Sequence, residues 1–238
     1  MIKAAIEKIL DLGKPEITHI NGETYSDKSL YRIKHNPKAE PIRLNTLSSL
    51  IDYIKSDIDG MQGEMIIHVE SPTRVRMYSE LDEDREREYV VAVDAQVPDF
   101  RFNRYIDHEE FCINLQSKFI DNEDRKLLLK FAGTVEAGSV AEYGDDGVTQ
   151  KATVKTGITS KEAAIVPNPV SLIAYRTFLE VDQPTTNFIF RMKQDKYDGI
   201  QCGLFEADGG AWKLQAMTNI KMYLEAELED VDGFIVIS

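Results

Sequence analysis

The chain is short of the residues from which most recognisable reactive sites are built: two cysteines, four histidines and one tryptophan in 238 residues. Cys112 and Cys202 lie far apart inside apolar patterns, with no Cys-x-x-Cys spacing and no histidine expected to be grouped near either. Buried free thiols are the expectation, because an unpaired cysteine behaves as a small hydrophobe. His19, His35, His68 and His108 are isolated from one another, and a zinc site needs three or four convergent ligands, so no metal is expected. The glycine patterns that cradle nucleotide phosphates are missing, as is the Gly-x-Ser-x-Gly elbow of many hydrolases, so no cofactor and no catalytic residue is assigned. Long hydrophobic runs are absent too: Val90 to Val93 is far too short to span a bilayer. Met1-Ile2-Lys3 leads into a charged amphipathic stretch rather than a secretory leader, and no membrane association is expected.

What the chain has in excess is negative charge. Against 28 basic residues stand 41 acidic ones, a net charge of −13, spread along the sequence rather than gathered in a tail. Such a field repels phosphate backbones, so nucleic acid is a disfavoured partner unless a local basic patch overrides it. The 42% hydrophobic content is ample for a core. One compact α+β domain over residues 1–238 is expected, with residue 100 the place for any subdivision.

The hydrophobic spacing predicts mainly antiparallel sheet with amphipathic helices at the N-terminus, in the middle and near the C-terminus. Ile2, Ala5, Ile6, Ile9 and Leu10 form a helical stripe that Lys14-Pro15 ends. Asn21-Gly22 and Asn36-Pro37 read as turns. Thr46 is placed to cap a helix carrying Leu47, Leu50, Ile51 and Ile54. Runs at about 64–70, 74–81 and 88–94 read as a β-meander, and Asp107 opens a further helix through a capping box. Another helix is expected from about Glu123 to Phe131. A hairpin over 134–159, turning at Asp146-Gly147, precedes strands around Tyr175 to Phe178 and Phe188 to Arg191. The terminal run 233–237 reads as a strand returning to a sheet.

Few constellations carry chemistry. The acidic run from Leu81 to Glu88 lacks the ligand spacing of a calcium loop and reads as a solvated turn. Arg176 and Arg191 stand out because a guanidinium among apolar neighbours must reach solvent or find a carboxylate, and Glu180, Glu206 and Asp208 are at hand. A structural ion pair is the plainer account. The functional alternative is an anion contact shared by Arg176, Arg191, Lys151 and Lys155, with Lys193 and Lys196 nearby. The predicted C-terminal helix has two apolar faces. Trp212, Ala216, Asn219, Ile220 and Tyr223 form one, and Leu214, Met217, Leu224 and Leu228 the other. Trp212, Ile220 and Tyr223 are therefore candidates for a subunit contact.

The strings Val166-Pro167-Asn168-Pro169, Tyr175-Arg176-Thr177-Phe178, Gln183-Pro184, Phe188-Ile189-Phe190-Arg191 and Leu204 to Trp212 together resemble the YfdQ-like family of uncharacterised phage and prophage proteins. The likeness covers most of the chain after about Leu44 and is weaker before it. It implies a bacteriophage origin and a place in the host bacterial cytoplasm, and it supplies no reaction. The expected function is that of a non-enzymatic accessory protein forming a homo-oligomer, with a host or phage protein as a further partner. An antagonist of host defence or of a nuclease, imitating the charge of DNA, is the alternative. A recombination accessory binding nucleic acid through the Lys151 to Lys196 patch is a third.

Overall fold

The computed structural model describes residues 2–29, 38–61, 63–143, 150–155, 161–165, 167–195 and 199–238, the strands between 135 and 165 by their backbone. The chain divides into two compact units, Met1–Ala39 and Glu40–Ser238.

The first unit holds α1 (Ile2–Leu12), β1 (Ile17–Ile20) and β2 (Glu23–Ser26). Asn21 and Gly22 take φ of 52° and 85°, the left-handed pair that a two-residue hairpin needs, and Ile20 accordingly pairs with Glu23. Lys28 Nζ returns to the end of α1, donating to the Lys14 carbonyl at 2.7 Å and to that of Leu12. None of this unit's described residues is buried.

The second unit follows with β3 (Ile42–Leu44), α2 (Leu47–Ser56), β4 (Met65–Ser71), β5 (Arg74–Ser79), β6 (Tyr89–Asp94), β7 (Tyr105–Asp107), α3 (His108–Ser117) and α4 (Glu123–Thr134). It continues through β8 (Val135–Tyr143), β9 (Gln150–Lys155), β10 (Lys161–Ile165), β11 (Val170–Ile173), β12 (Thr185–Asp195) and β13 (Gly199–Glu206), then α5 (Ala211–Glu227) and β14 (Phe234–Ile237). This is an α+β fold with mostly antiparallel sheets.

Two sheets build two cores. The five-stranded sheet runs β14-β4-β5-β6-β3, its antiparallel centre flanked by two strands that pair parallel. Alternation puts Met65, Ile67 and Val69 of β4 inward. They meet Leu47, Leu50, Ile51 and Ile54 of α2 and Ile220 and Leu224 of α5. Helix α2 begins where Thr46 accepts from the Ser49 amide at 3.1 Å and ends at Asp57 in the left-handed region.

The four-stranded sheet runs β11-β12-β13-β7, antiparallel throughout. Thr186, Phe188, Phe190 and Met192 of β12 point to one side and are buried. Against them pack Phe111 and Leu115 of α3 and Leu128 and Phe131 of α4. Asp107 accepts from the amides of Glu109 and Glu110, at 2.8 and 3.1 Å, to open α3. The chain passes from the first core to the second between β6 and β7, near residue 100, touches the first again at Phe178 and Val181, and returns to it with α5 and β14.

A third sheet, β10-β9-β8, contains the expected hairpin and one strand beyond it. The Asp146-Gly147 turn, the Asn36-Pro37 turn and Lys196 lie outside the described residues. Among those described, no helix is long and apolar enough to cross a membrane.

Candidate functional site

Arg176 stands in an irregular segment and not in the strand its apolar neighbours predict. β11 ends at Ile173, and the next ladder contact is a single bridge from Ala174 to Phe119. From there the Gln183 side chain organises the backbone: its Oε1 accepts from the amides of Arg176 and Thr177 at 3.0 and 3.1 Å, and its Nε2 donates to the Phe178 carbonyl at 2.8 Å. Thr177 Oγ1 donates to the Pro72 carbonyl, tying the segment to the β4–β5 turn. Backbone donors that would serve a strand are thus taken by a side chain.

The guanidinium, 7% exposed, is held at both terminal nitrogens and across its faces. Nη1 donates to Glu206 Oε1 at 2.7 Å, and Nη2 donates to Thr186 Oγ1. Its carbon lies 3.8 Å from the Trp212 ring centroid, 5.0 Å from that of Phe102 and 5.5 Å from that of Phe188. Those distances place a cation on aromatic faces in a desolvated setting. Glu206 also accepts from Trp212 Nε1 at 2.9 Å and from Asn103 Nδ2 at 3.2 Å. Nε, although buried, has no hydrogen-bond partner among the described residues. Burial pulls the Arg176 pKa below the ordinary arginine value, with the Glu206 pair and Asp208 opposing it. The carboxylate of Glu206, foreseen as a partner, neutralises this arginine; Thr186, Phe102 and Asn103 complete a clamp whose members come from distant elements.

Arg191 sits on the opposite face of β12 from Thr186 and Phe188. It is half-buried, and its Nη1 donates to the Phe190 carbonyl at 3.1 Å. Lys193, on the same face, lies 4.7 Å from the Tyr105 ring centroid. The sheet therefore parts Arg191 from the Arg176 clamp. Lys151 and Lys155 belong to β9, where the register sets Lys151 opposite Ile165 and Glu142, and Lys155 opposite Lys161.

On α5, the Ala216, Ile220, Leu224 and Leu228 row turns into the chain's own core. Ile220 is fully buried there, and Trp212 is engaged by Arg176 and Glu206, so neither offers a free apolar surface. Tyr223 packs at the edge of that core and lines a shallow cavity of about 260 Å³ with Glu180, Asp182, Asn219 and Met222. Leu214 and Met222 are the large apolar residues of α5 that remain exposed. The Asp208-Gly209-Gly210 turn acts locally, since Asp208 accepts from the amides of Gly210 at 2.9 Å and Trp212 at 3.2 Å and so closes the start of α5.

A smaller cavity of about 210 Å³ lies on the other side of Glu180, lined by Asn45, Thr46, Gln96 and Phe178. Glu180 Oε1 accepts from the Ser48 amide at 3.2 Å, so the carboxylate occupies the start of α2.

Sequence reasoning missed a contact between one cysteine and a histidine. His108 and Cys112 are one helical turn apart on α3, with Cys112 Sγ 3.8 Å from His108 Nε2, which also meets the Ala132 carbonyl at 2.8 Å. The i, i+4 spacing was the available signal. Burial raises the pKa of both thiols, further aided by Asp107 at Cys112 and by Cys112 and Asp107 at Cys202, which disfavours thiolate at neutral pH. No group of three or more metal-ligating side chains occurs among the described residues.

Comparison with protein-family models, with curated proteins and with solved structures gives no match.

Proposed function

We propose that the chain is a phage or prophage accessory protein that works in the host cytoplasm by associating with itself, without catalysis. The likeness of its central and C-terminal strings to the YfdQ-like family supports the origin. The observation that carries self-association is the N-terminal unit, where Ile2, Ile6, Ile9, Leu10, Leu12, Ile17, Ile20 and Tyr25 are each about half exposed or more. Apolar side chains gathered this way on one small unit mark a contact surface. The Arg176 clamp fits the same reading as an internal brace, since its charge is consumed by Glu206. The test is mass by light scattering on purified full-length protein, with the 260/280 nm absorbance ratio of the same peak. A defined oligomer free of nucleic acid is expected. A 27.0 kDa monomer at every concentration would sink the proposal.

A second reading draws on charge. Residues 40–238 hold 36 acidic against 21 basic residues, a net −15. That field favours an antagonist that imitates the charge of DNA before a host nuclease, with a host protein as its partner. Displacement of DNA from such a nuclease would then weaken as salt rises; displacement indifferent to salt would remove this reading.

A further inference from the structure

The two units differ in charge as sharply as in burial. Residues 1–39 carry seven basic and five acidic residues, a net +2, whereas residues 40–238 carry a net −15. A contact between copies made through the larger unit works on average against that net negative charge. A contact made through the first unit avoids that repulsion.

The exposed stripe of α1 has the spacing for such a contact. Ile2 and Ile9 stand seven residues apart, as do Ala5 and Leu12, which puts β-branched side chains at one core position of a heptad and Ala and Leu at the other. In an antiparallel pair with its two-fold axis beside Glu7, Ile2 of one copy faces Leu12 of the other, and Ala5 faces Ile9. Each layer then repeats under the two-fold, as an isologous contact requires, and the small Ala5 makes room for the larger Ile9. All four side chains are exposed. Lys3 and Glu7 lie 4.0 Å apart on the helix, and with Lys8 and Asp11 they leave no net excess of either sign, so the pair meets no charge barrier of its own.

We infer that α1 is a homotypic contact, binding α1 of a second copy antiparallel through Ile2, Ala5, Ile9 and Leu12. The inference rests on the self-association proposed above and names its surface. Eleven residues give three turns, so the contact is modest and dissociates on dilution. The occupant is a second copy of this chain rather than a lipid surface.

Light scattering of the full chain across a dilution series, repeated for Ile9→Glu and for Leu214→Glu, tests it. Both positions are exposed, at 67% and 71%, so neither substitution costs the fold, which circular dichroism checks. Wild type and Leu214→Glu should lose mass together on dilution, and Ile9→Glu should be reduced by at least one association step at all concentrations. An oligomer untouched by Ile9→Glu overturns the α1 contact and leaves self-association standing. A monomeric wild type overturns both. Flotation of the wild type, but not of Ile9→Glu, with phosphatidylglycerol vesicles, without any change in mass, would reassign the stripe to lipid.

Discussion

Removing Glu206 should harm the protein more than removing Arg176, although the two form one ion pair. Glu206→Ala strands a guanidinium that is only 7% exposed, between aromatic rings and with Asp208 as its remaining counter-charge. Breaking a buried pair in that way costs about 3–5 kcal/mol. Arg176→Met instead leaves a carboxylate that is 26% exposed and still accepts from Trp212 and Asn103, while the thioether fills the space between the rings. That loss should be about 1–2 kcal/mol. The double variant no longer holds a stranded charge, so it should be more stable than the sum of the single losses implies, by roughly 1–3 kcal/mol of coupling. Urea unfolding followed by far-ultraviolet circular dichroism measures all four proteins, since the fluorescence of Trp212 itself reports on the altered neighbours. A Glu206→Ala loss below about 1 kcal/mol, or additivity within about 0.5 kcal/mol, would refute the view of Arg176 as a desolvated cation dependent on this one carboxylate.

Gly203→Ala should destabilise by about 1–3 kcal/mol in the same assay, because a Cβ there would lie 2.9 Å from both the Arg104 carbonyl oxygen and the Phe205 ring. Tyr53, pushed up to about 12 by burial and by its 2.7 Å hydrogen bond to Asp59, makes stability pH-dependent in alkali. Its folded value lies above the unfolded value of 10.0, so the contribution is whole below pH 10 and is lost as pH rises towards 12; Tyr53→Phe should flatten that fall in a titration of unfolding midpoint against pH. Of the two thiols, Cys112 should react slowly with an aromatic disulfide reagent in the native protein and Cys202 only after unfolding, which a time course with and without denaturant resolves.

Local chemistry made much of the fold legible. The Thr46 cap, the Asp107 cap and the Asn21-Gly22 turn each depend on neighbours within a few residues, and each stands where its residues predict. The three runs of the meander became β4, β5 and β6 because their burial pattern and turns are also local. The parallel partners β3 and β14 are set by strands far away in sequence, and Ile42–Leu44 carries no pattern of its own that names Val91–Val93 as neighbour. The strand predicted through Arg176 failed for a related reason: Gln183, seven residues on, takes the donors that a ladder would use. At the candidate site, Glu206 was legible only as one of three nearby carboxylates with Glu180 and Asp208, and the fold decides among them. The separation of Arg191 was not, since it follows from which face of β12 looks inward. The two apolar faces of α5 resolved into one buried row because the helix turns Ile220, Leu224 and Leu228 into the first core, and that packing is a tertiary choice.

The chain leaves its first core at β6 and completes it only with α5 and β14, which gives the order of synthesis a physical role. A ribosome releases β4, β5 and β6 roughly 140 residues before Phe234, on the order of ten seconds at ordinary elongation rates. During that interval Met65, Ile67 and Val69 lack Ile220, Leu224 and Val236 as cover. The second core, built from Ile106 to Leu204, is finished while the first still waits, so the nascent protein carries a closed half and an open one. Protease digestion of ribosome-bound chains in which Glu206 has cleared the ribosome and Phe234 has not should therefore spare the four-stranded sheet and cut the meander, and the open half is where a chaperone would be engaged.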